Sequence, residues 1–334
     1  MARPASIFAS LTPIETSTFL PDELLTELQG IAETFHSLDS TACDRDAFIA
    51  ALREANPEIL IAAWKTPLLP DELPPNLRYV CYLCGSVKRL VTRRHLEQGL
   101  LLTNWGGSIS RIVAEWALFH ILSCLRRATF WALAMHLDAA WKNGDTTTAS
   151  LFGRTVGIHG FGQVARELTL LLRPFGTKVM VYAPDVDASA EARFGVRPAS
   201  SLDELFSEND IIVELAPLIP ETTGVINERL LRMIRPGGVF VNVGRGAVVD
   251  EAALARVAQE GRIQVGLDVF TEEPLPADSP FRKLRNVCLT PHLAGPTTDR
   301  RRDAGAFALR NLHAYAAGQP LQARVSTEEY DRTS

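Results

Sequence analysis

The chain has 334 residues, of which 46% are hydrophobic and 22% are charged, and its formal net charge is −5 at pH 7. This length allows two domains that each bury a core, and the composition is that of a globular protein. Because the basic residues are scattered among acids, we expect no nucleic-acid partner. The most apolar window, residues 112–135, is interrupted by Glu115, His120, Arg126 and Arg127. That load of polar side chains argues against a membrane span, and we expect no membrane partner.

The five cysteines are scattered along the chain, which is typical of proteins from a reducing compartment. Cys81 and Cys84 form a C-x-x-C pair, but they lie in an apolar run that predicts a buried strand. No second pair of cysteines is present to complete a metal site. The first residues lack the apolar core and cleavage site of a secretion signal. We therefore expect a cytoplasmic protein with no bound metal.

Short apolar runs alternate with helical patterns along the chain, as in parallel strands that are covered on both faces. In the first part they predict a helix near residues 22–34 and strands at 6–8, 59–63, 79–83 and 100–102. A long helix is predicted from Arg111 to about Lys142. After it the alternation restarts, with a last helix near 304–315 and strands at 155–159, 179–182, 211–215, 239–243, 264–267 and 287–289.

This order of elements predicts an α/β protein with two doubly wound, mostly parallel sheets. The final helix returns the chain towards its beginning, so we expect a central domain over residues 104–296. It is inserted into an outer domain formed by residues 1–103 and 297–334. In such sheets the ligands lie at the carboxyl ends of the strands.

A glycine motif follows the strand predicted at 155–159. Its sequence reads Gly160-Phe-Gly162-Gln163-Val164-Ala165 and continues as a helix, which is the G-x-G-x-x-A context of a dinucleotide site. Gly160 permits the tight turn, Gly162 lets the backbone approach a pyrophosphate, and Ala165 lets the helix pack on the strand. The helix start, with Gln163 and Val164, offers N–H groups to the phosphates. We predict a bound dinucleotide.

The next predicted strand ends without the acid that usually holds the adenosine ribose, and Ala183 stands at that position. Asp185 and Asp187 lie just beyond it and would repel a 2′-phosphate if they face the pocket. We therefore expect NAD as the cofactor and leave NADP open. His159, which precedes the glycine motif, is interpreted as a packed neutral histidine rather than a catalytic one.

Three polar residues follow later strands of the same sheet: Arg245, Glu273 and His292. Reducing a keto acid requires a cation for the carboxylate, a proton donor for the carbonyl oxygen and a group that favours the protonated donor. Arg245 suits the first task because a guanidinium binds both carboxylate oxygens. His292 suits the second, and Glu273 the third, since a neighbouring carboxylate favours an imidazolium.

These motifs resemble the D-isomer-specific 2-hydroxyacid dehydrogenase family, in the segments 160–165, 216–224, 245–251, 267–274 and 290–295. The resemblance implies that Arg245 holds the substrate carboxylate, that His292 is the acid/base and that Glu273 is its partner. It implies that Asp268 contacts the nicotinamide amide. It also implies a Rossmann cofactor domain inserted into a smaller flavodoxin-like substrate domain. Further cofactor-binding positions under this reading are Ala183, Ala216, Pro217, Val243, Gly244 and Gly295.

The family's outer domain binds the substrate carboxylate with a glycine-rich loop, which corresponds to Cys84–Arg89 here. Gly85 and Ser86 can still present their amides to the substrate. Lys88 stands where the family has an aspartate, so it either attracts a second anionic group on the substrate or pairs with a nearby acid.

The expected function is hydride transfer between NAD(P)H and a small 2-keto acid of the glyoxylate, hydroxypyruvate or pyruvate type, with a D-2-hydroxy acid as product. The alternative is a dinucleotide-sensing scaffold, because the family includes corepressors that keep the fold. We expect a homodimer. The sequence stops at Ser334, so we also expect no C-terminal regulatory domain.

Overall fold

The computed structural model describes residues 4–144, 146–184 and 186–332, which form two compact units. The first unit contains the residues up to Ile109 and those from Pro296 onwards, and the second runs from Ser110 to Gly295. The second unit is thus inserted into the first in the sequence.

Residues 104–109 belong to the first unit, so the first boundary lies after Ile109 rather than after Thr103. Two hydrogen bonds explain this. The side-chain amide of Asn104 donates to the Gly85 carbonyl, and the backbone N–H of Trp105 donates to the Cys84 carbonyl.

The first unit contains a five-stranded parallel sheet with the strand order β2-β1-β3-β4-β5. This is the flavodoxin-like order, as predicted. Strands β3 and β4 are completely buried, as expected for strands covered on both faces. The strands are β1 (Ser6–Leu11), β2 (Thr34–Asp39), β3 (Ile59–Ala62), β4 (Tyr79–Tyr82) and β5 (Leu101–Thr103).

Six helices accompany this sheet in the described residues. The first begins with a capping box, because the Thr12 hydroxyl accepts from the Glu15 amide while the Glu15 carboxylate accepts from the Thr12 amide. The helices are α1 (Pro13–Phe19), α2 (Asp22–Ile31), α3 (Arg45–Ala55), α4 (Arg93–Glu97), α12 (Arg301–Ala316) and α13 (Thr327–Arg332).

The second unit contains a seven-stranded parallel sheet with the order β12-β11-β10-β9-β6-β7-β8. Counted from β6, this is the Rossmann order with one additional strand. The strand order reverses between β6 and β9, and ligands of such sheets bind at the carboxyl ends beside that point. The strands are β6 (Thr155–His159), β7 (Lys178–Tyr182), β8 (Val196–Pro198), β9 (Ile211–Glu214), β10 (Val239–Asn242), β11 (Gln264–Leu267) and β12 (Val287–Leu289).

Helices cover both faces of this sheet and enclose two apolar clusters. One cluster includes Ala165 and Leu168 of the helix after the glycine motif, and the other includes Leu205 and Leu254. The helices are α5 (Ser110–Leu125), α6 (Ala128–Asp138), α7 (Gln163–Leu172), α8 (Ala188–Phe194), α9 (Leu202–Glu208), α10 (Glu228–Met233) and α11 (Glu251–Gln259). Short 3₁₀ turns span Arg173–Phe175, Gly246–Val248 and Pro280–Lys283.

The single long helix predicted from Arg111 to about Lys142 is wrong, because the segment forms the two helices α5 and α6. Arg127 separates them in a left-handed conformation with φ of 54°, which a continuing helix cannot accommodate. The Arg127 guanidinium stacks on the Phe130 ring at 4.5 Å. None of the helices in the described ranges is long and apolar enough to cross a membrane.

Candidate active site

The glycine motif forms the turn that the sequence predicted. Gly160 has φ of +88°, and a Cβ atom there would lie 2.7 Å from the backbone nitrogen and Cα of Ala216. Its N–H donates to the Tyr182 carbonyl at 2.9 Å. Only glycine fits both the positive φ and the close approach, so the turn draws the ends of β6, β7 and β9 together.

Gly162 is the N-cap of α7, and no side chain caps this helix start. A Cβ atom on Gly162 would meet nothing within 4 Å, which leaves room for a ligand above the turn. Gln163 is exposed, Val164 is half-buried, and Ala165 is buried beneath them. The first amides of a ten-residue helix therefore point at open space, and this geometry fits a pyrophosphate.

The segments expected to bind the adenosine end of the dinucleotide follow β7 and β9, next to this turn. Ala183 follows β7 and is half-buried, whereas Ala216 is buried and Pro217 is exposed after β9. Asp185 lies outside the described residues, so its possible role at the ribose stays a prediction.

Asn242, the last residue of β10, fixes the loop that carries Arg245. The buried Asn242 amide donates to the Arg245 carbonyl and accepts from the Gly244 N–H, both at 3.0 Å. Val243, which lies between Asn242 and Gly244 in the sequence, is buried. At Gly246 a Cβ atom would lie 2.0 Å from the Phe270 carbonyl carbon, so glycine is required for the close approach of this loop to the segment after β11.

Arg245 itself is half-buried, and one of its guanidinium nitrogens donates to the Gly244 carbonyl at 2.8 Å. Burial lowers the pKa of the guanidinium, and the nearby Glu273 carboxylate partly opposes this effect. The sequence-predicted cation and carboxylate are therefore close enough to interact electrostatically.

Glu273 and His292 form a hydrogen-bonded pair, with 2.7 Å between Glu273 Oε2 and His292 Nδ1. The second carboxylate oxygen of Glu273 accepts from the Phe270 amide at 3.0 Å, which orients the carboxylate. The His292 side chain is 50% exposed. The structure thus brings Arg245, Glu273 and His292 together within the second unit.

Asp268, at the end of β11, is completely buried and organises the loop before and after His292. Its carboxylate accepts from the Thr290 hydroxyl at 2.6 Å and from the amides of Leu293 and Ala294 at 2.8 Å. Its backbone carbonyl accepts from the His292 N–H at 2.8 Å. Gly295, the last residue of the unit, is half-buried with open space around it. The contact between Asp268 and nicotinamide stays a prediction.

In the first unit, Gly85 and Ser86 follow β4 and are half-buried. A Cβ atom on Gly85 would lie 2.8 Å from the Trp105 ring, so the indole demands glycine there. Within the described ranges, no protein acceptor pairs with the N–H of Gly85 or Ser86, as expected for amides that bind a ligand. Lys88 is exposed, and its ammonium lies 5.5 Å from the centre of the Tyr330 ring.

Comparison with known proteins agrees with this geometry. Residues 118–294 match the family model of the "D-isomer specific 2-hydroxyacid dehydrogenase, NAD binding domain". The chain is 32% identical to a D-3-phosphoglycerate dehydrogenase of Mycobacterium bovis over 83% of this chain and 52% of that protein, so it spans about half the length of that relative. It is 30% identical to a glyoxylate reductase of Thermofilum pendens, over 85% of this chain and 82% of that protein. The solved D-mandelate dehydrogenase of Rhodotorula graminis, 22% identical, shares the fold with a TM-score of 0.83 and coverage of 96% and 97%.

The chain belongs to the D-isomer specific 2-hydroxyacid dehydrogenase family. The predicted family, the predicted fold and the prediction of NAD as the cofactor are confirmed by these matches. In this chain the residues that fit the dinucleotide are the Gly160 turn, which requires glycine, and the uncapped start of α7, where Gly162 leaves open space.

Sequence reasoning missed two residues that support the candidate site, His120 and Trp116 of α5. The Trp116 indole donates to the Asp268 carboxylate at 3.0 Å, and His120 Nε2 lies 2.9 Å from the Thr290 hydroxyl. His120 is fully buried, and burial lowers its pKa to about 4. The apolar surroundings of both residues in the sequence predicted a packed helix, and no local signal pointed to partners so distant in the chain.

Proposed function

We propose that the protein reduces a small 2-keto acid of the glyoxylate, hydroxypyruvate or pyruvate type to the D-2-hydroxy acid. The observation that carries the proposal is the Glu273–His292 hydrogen bond beside the half-buried Arg245. A cation, a proton donor and the carboxylate that supports the donor are the groups that this reduction requires. A dinucleotide-sensing protein can retain these three groups but does not require them.

Arg245 holds the substrate carboxylate in this proposal, because its guanidinium can bind two oxygens at once. Partial burial strengthens that interaction by removing competing water. We assign the amides of Gly85 and Ser86 to substrate binding as well. We assign the first unit to the substrate and the second to the cofactor.

His292 protonates the carbonyl oxygen through Nε2 as the carbonyl carbon is reduced. Glu273 bonds Nδ1, so it stabilises the positive charge on the imidazole before the proton leaves. A bound reduced nicotinamide supplies the hydride. Asp268 keeps His292 in place through the backbone of residues 292–294.

For the cofactor we propose a preference for NADH, with NADPH tolerated. Ala183 offers no cation to bind a 2′-phosphate, which supports NADH, and no carboxylate to repel one, which allows NADPH. Both cofactors therefore belong in any assay.

We further propose a cytoplasmic homodimer. The five cysteines of the chain are all free, which suits a reducing compartment. Apolar side chains are exposed on α6 and after it, with Leu137 71% and Trp141 73% accessible, and an exposed patch of this kind commonly marks an interface. Light scattering of wild type and of Leu137→Glu tests the dimer; two monodisperse monomers would overturn it.

The deciding experiment follows oxidation of NADH and NADPH with a panel of keto acids: glyoxylate, hydroxypyruvate, pyruvate, phosphohydroxypyruvate and phenylglyoxylate. We expect turnover with at least one of the first three and a product of D configuration by chiral chromatography. Dinucleotide binding without turnover of any panel member would overturn the proposal and support the sensor alternative.

A further inference from the structure

Three neighbouring strands of the second unit each end in a residue that lies beside the other two. His159 ends β6, and it pairs in register with Tyr182 at the end of β7 and with Glu214 at the end of β9. Because the strands are parallel and the positions are in register, the three side chains lie on one face of the sheet. This row lies at the point where the strand order reverses.

His159 and Glu214 form a buried hydrogen bond, with 2.6 Å between Nδ1 and Oε2. His159 is 5% exposed and Glu214 is fully buried. The other Glu214 oxygen accepts from the Ala216 amide at 2.7 Å, and the His159 ring centre lies 5.8 Å from that of Tyr182. Glu214 thus connects the histidine to the segment that follows β9.

The residues that follow this row are those assigned to the cofactor. Gly160 comes after His159, Ala183 after Tyr182, and Ala216 shortly after Glu214. The row therefore lies directly before the three segments expected to hold the dinucleotide. The acid that usually binds the ribose is absent from these segments, since position 183 is alanine.

Fold stability does not account for a buried histidine–glutamate pair, because an apolar pair of similar volume is often equally stable or more stable at such a site. Unlike an apolar pair, it also offers hydrogen-bonding groups to a ligand. Glu214 accepts at Nδ1, so in the neutral imidazole the proton is on Nδ1 and Nε2 has a free lone pair. Within the described residues the hydrogen bond found for His159 is the one at Nδ1.

We propose that His159 is a cofactor-binding residue, and that its Nε2 accepts a hydrogen bond from a ribose hydroxyl of the adenosine. Glu214 is its positioning residue, which fixes the tautomer and ties the histidine to the Ala216 segment. The pair supplies the acceptor that Ala183 lacks. This inference rests on the dinucleotide site of the family and not on the proposed keto-acid reaction.

The test uses the full chain and the binding of ADP-ribose by calorimetry, which needs no substrate. His159→Ile leaves the Glu214 carboxylate without its histidine, and Glu214→Leu leaves both His159 Nδ1 and the Ala216 N–H without an acceptor, so both should lower the urea midpoint. The double variant restores an apolar pair and should regain most of the lost midpoint, although the Ala216 N–H stays without its acceptor. We expect it nevertheless to bind ADP-ribose at least tenfold more weakly, the size of one lost hydrogen bond.

Ligands that lack a ribose hydroxyl distinguish a direct contact between His159 and that hydroxyl from a general distortion of the binding site. We compare ADP-ribose with two analogues, one without the 2′-hydroxyl and one without the 3′-hydroxyl of the adenosine ribose. At least one analogue should bind wild type about tenfold more weakly than ADP-ribose, whereas the double variant should bind the analogues and ADP-ribose equally. The matched control is His95→Gln, a fully buried histidine of the first unit whose nitrogens bond backbone groups; it should lose stability but keep ADP-ribose affinity.

A stable double variant with wild-type ADP-ribose affinity would overturn the inference and leave the pair a packing feature. If the double variant does not recover its midpoint, His159→Asn decides, because the asparagine amide can still donate to Glu214 from the position of Nδ1 but has no atom at the position of Nε2. Unchanged discrimination of the deoxy ligands by this variant would then overturn the inference. The keto-acid proposal fails in a different measurement: wild type would bind ADP-ribose but reduce none of the keto acids.

Discussion

His292 Nδ1 lies 2.7 Å from Glu273 Oε2 while the His292 backbone is left-handed, with φ of 53°. Such a backbone costs about 1–3 kcal/mol in a residue other than glycine. Hydrogen bonds from the loop to Asp268 offset this cost. The strained backbone directs the imidazole towards the carboxylate, and an observed outlier of this kind is typical of a functional residue.

Replacing His292 with Gln should lower kcat for keto-acid reduction by roughly two to four orders of magnitude, the usual contribution of a general acid. Glutamine cannot deliver a proton at neutral pH, but it keeps much of the volume and can still bond Glu273. Dinucleotide affinity, measured by calorimetry, serves as the control and should stay near wild type. A variant that retains more than half of the wild-type kcat would remove His292 from the proposed role.

Changing Arg245 to Ala should raise KM and lower kcat together, because the cation holds the carboxylate in both the ground state and the transition state. Arg245→Lys should have a higher kcat/KM than Arg245→Ala but a lower one than wild type, since an ammonium keeps the charge but cannot bind the carboxylate in a bidentate manner. Steady-state kinetics with the best keto acid of the panel measures both. Full recovery by lysine would show that the site needs a point charge alone.

The limits of sequence reasoning are physical and can be seen in particular elements. Apolar strands such as Val239–Asn242 were predicted because burial on both faces leaves a continuous apolar run. The strands β2 and β8 were missed because both are edge strands and their side chains are largely exposed, which removes that pattern.

The site was predictable where a motif is local and was missed where a contact is distant. The glycine turn is contiguous in sequence, so its geometry follows from the G-x-G-x-x-A spacing. His120 and Thr290 are 170 residues apart, and the partner of His159 is 55 residues away. Local sequence patterns do not indicate such pairs, because the residues become neighbours only when the sheet forms.

Two glycine substitutions should separate stability from cofactor binding. Gly160→Ala forces a positive φ on alanine and places its Cβ against Ala216, so it should destabilise the second unit by about 1–3 kcal/mol and weaken NADH binding. Gly162→Ala meets no protein atom within 4 Å and should change stability by less than about 0.5 kcal/mol, yet its methyl group should obstruct the pyrophosphate. Urea midpoints and calorimetric affinities measure the two effects; equal NADH affinity of Gly162→Ala and wild type would contradict the predicted turn.

The last prediction concerns acid stability and His120. Burial lowers the pKa of His120 to about 4 in the folded chain, whereas a histidine in an unfolded chain has a pKa near 6.5. Between these values the unfolded state binds more protons, so His120 should reduce the free energy of unfolding as pH falls from about 6.5 to about 4.

Between pH 7 and pH 5 this contribution is about 2 kcal/mol. His120→Gln removes the titrating ring and can keep a bond to Thr290, so its unfolding free energy should fall by about 2 kcal/mol less than that of wild type over the same range. The comparison concerns the change with pH, so a constant loss of stability in the variant does not affect it. Urea unfolding of the full chain at both pH values measures the change, and His136→Gln, at an exposed histidine, should follow wild type. Parallel pH profiles of His120→Gln and wild type would show that His120 is not the buried neutral group that weakens the fold in acid.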